Sequence, residues 1–296
     1  MGSLRLGVMC GVRDRRDLDA GLDAALAVGV RYVQLTAAAP LSADAWRDIL
    51  GRCRERGVTV AAIGCYANLV RPEDRSLHGV AVADVEPALR ALADAGEGHL
   101  RQVVVWSGTF GADLLAGDRR NWTLGTWDAL VETAASLARK ARALGGRVLI
   151  EPYHRHCLVS ARDYVLFLRD ALEAAGLPWR QPAATALGVV LDPPNLLASW
   201  QLTDLEQTLA DGIAALGPWA GMVHLKDIAA PADDRTTSVP ALPAPGEGRI
   251  AYAAYVRQMA AAASGELPAI AEHFDTGDPG ALRRVMAFLE AAGVPR

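Results

Sequence analysis

Short apolar runs and longer amphipathic segments alternate along the whole chain. Continuous or every-second-residue apolar runs read as strands, and apolar positions three or four residues apart read as helices. Strand-like runs fall at residues 4–10, 32–35, 58–66, 102–106, 148–151, 188–192, 222–225 and 268–272. Helix-like segments follow them near 17–28, 43–56, 84–95, 126–144, 161–175, 203–216, 251–263 and 279–292. Val103-Val104-Val105, Val148-Leu149-Ile150 and Val189-Val190-Leu191 are apolar without a break, as strands covered on both faces require. Segment ends carry fitting punctuation. Gly29 and Gly57 suit left-handed C-caps after the first two helices, Ser42 and Thr203 suit N-caps, and Pro279 suits a first helical position.

Eight β-α units in strict alternation predict an α/β fold, a (β/α)8 TIM barrel forming a single domain over residues 1–296, in preference to an open doubly wound sheet. No Gly-rich dinucleotide fingerprint follows any strand, and Gly246-Glu247-Gly248 lies in a long connection before a helix, so it reads as a turn. The longest connections, 67–83, 108–125 and 228–249, follow the third, fourth and seventh strands. They are therefore expected at the C-terminal mouth of the barrel as walls or lids, with a loose insertion as the other reading of the Pro- and Ala-rich 229–245.

Composition narrows the function class. Hydrophobic residues make up 51% and charged residues 22% of 296, enough for one large core. Thirty Lys and Arg against 34 Asp and Glu leave a net charge of −4 with the signs intermixed, which argues against a nucleic-acid-binding face. Cys10, Cys53, Cys65 and Cys157 lack CxxC spacing and read as small buried apolar residues of a reducing compartment. With no apolar stretch of spanning length and no leader, a cytoplasmic protein without a membrane partner is expected.

The last four strands end alike. Apolar residues lead in each case to a metal-competent side chain: Glu151 after Val148-Leu149-Ile150, Asp192 after Val189-Val190-Leu191, His224 after Gly221-Met222-Val223, and Glu272 after Ala269-Ile270-Ala271. These residues are 41, 32 and 48 positions apart in sequence, yet the strand ends of a barrel converge within about 10 Å. Three carboxylates so close would raise one another's pKa unless a cation lay among them. Two Glu, one Asp and one imidazole suit one hard or borderline divalent ion: Mn²⁺ foremost, with Mg²⁺, Co²⁺ or Zn²⁺ as alternatives.

Together with Val190-Leu191-Asp192-Pro193-Pro194-Asn195, Val223-His224-Leu225-Lys226-Asp227, Pro245-Gly246-Glu247-Gly248-Arg249-Ile250, Ala271-Glu272-His273 and Ile63-Gly64-Cys65-Tyr66-Ala67-Asn68, this pattern resembles the xylose isomerase-like TIM barrels of the sugar-phosphate isomerase/epimerase superfamily. The resemblance runs along nearly the whole chain. It implies a metal quartet of Glu151, Asp192, His224 and Glu272, in which Glu151 and Glu272 also act as opposed acid/base groups beside a metal-polarised carbonyl. Two departures from the ketose-epimerase branch stand out: Asn195 where that branch often has histidine, and no counterpart of its substrate-binding arginine after Asp227.

Two imidazoles, His154 and His156, follow Glu151, and His154 is the candidate acid/base for a different step such as β-elimination or hydration. His273 is expected to point away from the site in a supporting role, and of Lys226 and Asp227 one is expected to reach the site and the other to form a supporting ion pair. Candidate substrate contacts are Tyr66, Asn68, Trp106, His156, Asn195, Lys226 and Arg249, with Phe110 and Trp122 as further aromatics near the mouth; His78 and His99 receive no role. Asp275 and Asp278 would repel a phosphate after the last strand, so a neutral polyhydroxylated substrate is expected.

The leading expectation is a metal-dependent isomerase or epimerase of a small non-phosphorylated sugar or polyol. A lyase or hydratase using His154 or His156 and a non-catalytic barrel subunit are the alternatives. An abasic-site nuclease lacks the extra histidines and basic groove it would need. The expected partner is a small carbohydrate, with homo-oligomerisation left open.

Overall fold

Eight parallel strands pair in chain order and close on themselves, with a helix after each: β1 (Ser3–Val12), α1 (Arg15–Ala27), β2 (Tyr32–Ala37), α2 (Ala43–Glu55), β3 (Thr59–Asn68), α3 (Val85–Asp94), β4 (Gln102–Trp106), α4 (Leu124–Ala143), β5 (Arg147–Glu151), α5 (Ala161–Ala174), β6 (Leu187–Leu191), α6 (Leu205–Leu216), β7 (Ala220–Leu225), α7 (Tyr252–Ala262), β8 (Glu266–Ala271) and α8 (Pro279–Ala291). The chain is a (β/α)8 TIM barrel, as the alternation predicts, seen in a computed structural model that describes residues 2–75, 79–112, 116–230 and 240–296. His78 and most of the Pro- and Ala-rich 229–245 stretch lie outside the described residues.

Strand alternation divides the apolar residues into two cores. Val148 and Ile150 of β5, for example, face the helical ring, whereas Leu149 joins Val104, Val190, Met222 and Ile270 in a dry layer inside the barrel. All five residues of that inner layer are fully buried.

Below it, at the N-terminal end of the strands, Arg147 closes the floor. Its guanidinium donates to the carbonyls of Trp219 at 2.8 Å, Pro182 at 2.9 Å and Ala220 at 3.2 Å, and it has no acidic partner among the described residues. Burial alone lowers its pKa to about 10. Gly188 makes room for it, since a Cβ there would lie 2.5 Å from Arg147 Nη2.

Element ends follow the local chemistry with one exception. Ser42 Oγ accepts from Ala45 N at 3.2 Å, Gly29 and Gly57 adopt φ of +76° and +67°, and Pro279 enters α8 behind Asp278, which accepts from Gly280 N. Thr203 does not cap α6. Residues Ser199–Asp204 wind into a 3-10 turn, in which Thr203 Oγ1 donates to Trp200 O at 3.1 Å, and α6 starts two residues later than expected. The hydroxyl is thus committed to the turn before the helix begins. All four cysteines are free and buried, and burial pushes each thiol up to about 12. No helix among the described residues is long and apolar enough to cross a membrane.

His99 has a structural role. Its Nδ1 accepts from Val60 N of β3 at 3.1 Å and its Nε2 donates to Leu50 O of α2 at 2.9 Å, so the ring is built in neutral. Burial lowers its pKa below the ordinary 6.5 despite the Leu50 carbonyl. Below pH about 6.5 the unfolded chain therefore binds a proton that the folded chain resists, and stability falls as pH drops through that window. Unfolding temperatures measured from pH 7.5 down to 5 are expected to decline, with a shallower slope in His99→Gln; equal slopes would refute this role.

Candidate metal centre and active site

The four strand-end side chains share one parity. Glu151, Asp192, His224 and Glu272 each stand two residues beyond Leu149, Val190, Met222 and Ile270 of the inner apolar layer, so pleating aims all four into the mouth of the barrel. Trp106 of β4, two residues beyond Val104, belongs to the same ring.

His224 Nδ1 lies 3.6 Å from Glu151 Oε1, 3.6 Å from Asp192 Oδ2 and 3.5 Å from Glu272 Oε1. These contacts are longer than hydrogen bonds and surround one point. Glu151 and Glu272 come from strands three apart round the barrel, with Asp192 and His224 between them.

Lys226, two residues beyond His224, is 1% exposed and donates to Asp192 Oδ2 at 2.6 Å and to Glu272 Oε1. Burial works against charge on Lys226, but Asp192 and Glu272 raise its pKa and keep it an ammonium. Burial likewise works to raise the Glu272 carboxyl, and the adjacent Lys226 and His224 hold it below the usual carboxylate range. Burial would keep His224 neutral; Glu272 and Glu151 override it and raise its pKa to about 10, so a proton and a metal ion compete for the same nitrogen.

Asp227 points the other way and forms no ion pair among the described residues. Its Oδ1 accepts from Ile228 N at 2.8 Å and Ile250 N at 3.0 Å, and its Oδ2 accepts from Gly246 N at 3.1 Å. The returning loop satisfies the carboxylate with backbone donors, and Asp227 thereby fixes that loop over the mouth. The Gly246-Glu247-Gly248 turn is held in this way.

The remaining candidates divide into two groups. Asn195 Nδ2 donates to Asp192 Oδ2 at 2.7 Å and Glu151 Oε1 at 3.3 Å, so its amide steadies the carboxylates. Its backbone oxygen accepts from His154 N at 2.9 Å and lies 3.3 Å from His154 Nδ1. The Tyr66 and Trp106 rings meet at 4.9 Å, and His156 meets Trp106 edge-on at 5.5 Å, forming an aromatic wall.

Asn68 and Arg249 are not drawn into the carboxylate cluster. Asn68 Nδ2 donates to Thr109 O at 2.9 Å, pinning the loop after β4, because the chain turns back beside it at Gly108. Arg249 is exposed, and its backbone N–H is bonded to Ile228 O. His273, at φ +65°, donates from Nδ1 to Leu242 O at 2.6 Å, while its Nε2 lies 3.9 Å from Glu272 Oε1, so the ring is not turned clear of the cluster as expected. Phe110 carries the Arg120 guanidinium at 5.0 Å, and Trp122 is 56% exposed.

Gln34 was not among the candidates. It is fully buried in β2, accepts from His224 Nε2 at 2.8 Å and donates to Tyr66 OH at 2.7 Å. The available signal was an amide between Val33 and Leu35, in a strand whose two faces are both covered.

The donor set fits a divalent cation. One ligand atom each from Glu151, Asp192 and His224 lies within 4.8 Å of the others, and Glu151 Oε2, Asp192 Oδ1 and His224 Nδ1 are buried without a hydrogen-bond partner. Among the described residues, three carboxylates against the Lys226 ammonium leave two negative charges once His224 is neutral, which one divalent ion would neutralise. These three residues thus form a possible metal site, with Glu272 beside it.

Solved structures share this architecture. A 3-keto-D-glucoside 4-epimerase from E. coli superposes with a TM-score of 0.66 at 17% identity, covering 98% of this chain and 100% of its own. An L-ribulose 3-epimerase gives 0.66 at 16% identity over 99% and 96%. A xylose isomerase-like TIM barrel protein from Mycobacterium smegmatis, in complex with magnesium, gives 0.65 at 16% identity over 99% and 98%. No curated protein matches the sequence. The family model described as the xylose isomerase-like TIM barrel matches residues 22–292, nearly the whole barrel including all four strand-end side chains, and the chain belongs to that family.

Proposed function

We propose that the protein is a divalent-metal-dependent isomerase or epimerase of a small non-phosphorylated sugar or polyol, with Mn²⁺ the ion best suited to its donors. The observation that carries this reading is the pair Glu151 and Glu272, each within 3.6 Å of His224 Nδ1 and reaching it from strands three apart. The fold likeness to two sugar epimerases supports it. Glu151, Asp192, His224 and Glu272 would hold the ion, which would supply electrophilic polarisation of a substrate carbonyl.

The chain's own residues do the rest. Glu272, kept ionised by Lys226 and His224, takes the proton from the carbon beside that carbonyl. Glu151, whose Oε2 is buried without a hydrogen-bond partner, takes up a proton from solvent and delivers it to the other face of that carbon, and Glu272 releases the proton it took to solvent. Tyr66 and Trp106 offer a dry aromatic wall to the sugar's apolar face. After β8, Asp278 already accepts from Gly280 N at the start of α8, and Asp275 accepts from Gly277 N, so the donors and charge that would attract a phosphate are taken.

The test is solvent deuterium. Metal-loaded protein in D₂O is expected to exchange a carbon-bound hydrogen of at least one member of a ketose and keto-inositol panel; no exchange across the panel would sink the proposal. A lyase or hydratase is the second reading, favoured by one observation. His154 Nδ1 faces the Asn195 carbonyl, its Nε2 is buried without a partner, and burial lowers its pKa despite that carbonyl, which leaves a neutral ring with a free base nitrogen. His154→Ala separates the two readings: lost turnover at unchanged metal content favours the lyase, and retained exchange favours the isomerase.

A further inference from the structure

We propose that Gln34 is a positioning residue for the metal centre, fixing the tautomer and tilt of His224 from the opposite side of the barrel. This deepens the metal-dependent reading above and rests on it.

An imidazole can offer either nitrogen as a lone pair, and the hydrogen bond made by the other nitrogen decides which. Here the acceptor at Nε2 among the described residues is Gln34 Oε1 at 2.8 Å, so Nε2 keeps its hydrogen, and Nδ1, which faces Glu151, Asp192 and Glu272, is the nitrogen that would give up its proton to a metal ion. The amide is itself held on its far side, where Gln34 Nε2 donates to Tyr66 OH at 2.7 Å.

The surroundings are shaped for this chain of bonds. Tyr66 sits at φ +52°, a left-handed conformation that a tyrosine rarely adopts, and that conformation accompanies the placement of its hydroxyl at Gln34. Gly64 is the glycine that makes the space, since a Cβ there would lie 2.7 Å from the Tyr66 ring and 3.2 Å from Gln34 Nε2. A fully buried amide linking β2, β3 and β7 thus directs the imidazole, its described hydrogen bonds running to Tyr66 and His224.

The experiment is titration of the full-length protein with Mn²⁺, following free ion by electron paramagnetic resonance, in wild type, Gln34→Leu and Gln34→Glu. Leucine keeps the volume and removes the acceptor. Glutamate keeps the acceptor, and the Tyr66 hydroxyl can rotate to donate to it. The Mn²⁺ Kd is expected to rise about 10–100-fold in Gln34→Leu and to stay within about threefold of wild type, or tighten, in Gln34→Glu. A Gln34→Leu Kd within about twofold of wild type would overturn the inference while leaving the metal reading intact.

A wild-type protein that takes up no Mn²⁺, Mg²⁺ or Co²⁺ would overturn both. Should Gln34→Leu fail to fold, ¹⁵N-histidine NMR of the Mg²⁺-loaded wild type decides: a proton on His224 Nε2 is expected, and a proton on Nδ1 overturns the proposal.

Discussion

Glu151→Gln and Glu272→Gln are each expected to lower turnover by about 10³-fold, within the range that a positioned acid or base contributes. Glutamine keeps the size and the hydrogen-bonding oxygen of each side chain and removes only the ability to exchange a proton. The two substitutions should not be equivalent. Glu272, held ionised by Lys226, faces one side of the reacting carbon in the proposed arrangement, and Glu151 faces the other. Each variant is therefore expected to lose solvent deuterium exchange from one epimer of a substrate pair while keeping residual exchange from the other. If both variants slow exchange from both epimers equally, or if either retains turnover within about tenfold of wild type, the two-carboxylate mechanism is wrong.

The largest stability effect is expected at Lys226→Met. The ammonium is buried between Asp192 and Glu272, and its removal leaves carboxylates facing one another in a dry site. Removing one partner of a buried ion pair typically costs about 3–5 kcal/mol. For a chain of this size that corresponds to a fall of roughly 5–8 °C in Tm without added metal. Saturating Mn²⁺ should restore most of it, because a cation that binds the folded state stabilises it by mass action and supplies the missing positive charge. Scanning calorimetry with and without Mn²⁺ checks both halves. A Tm unchanged in the absence of metal would show that Lys226 does not hold the carboxylates together.

Much of this architecture is legible in the chain because parallel barrel strands are covered on both faces. Continuous runs such as Val103-Val104-Val105 announce them, and β4 lies where the pattern predicts, at Gln102–Trp106. The strand-end residues are legible for a related reason: a carboxylate or imidazole that ends an apolar run marks where a strand leaves the core. Long-range pairing is not legible. Gln34 and His224 are bonded across 190 residues, and nothing local to either names the other. Nor do the backbone partners of Asn68 and Asp227 show in the residues around them. The Thr109 carbonyl takes up Asn68 Nδ2 while Asn68 Oδ1 stays buried without a partner, and the N–H groups of Gly246 and Ile250 take up the Asp227 carboxylate. Thr203 shows the limit of capping rules, since a 3-10 turn ahead of α6 claims its hydroxyl first.

The Arg147 floor has a kinetic consequence. With its guanidinium sealed among strand carbonyls and the layer of Val104, Leu149, Val190, Met222 and Ile270 fully buried above it, the barrel is a blind well with one opening. A molecule that enters past the aromatic wall must leave by the same door. For the isomerase proposed above, reactant and product would therefore exclude each other, and product inhibition is expected to be competitive.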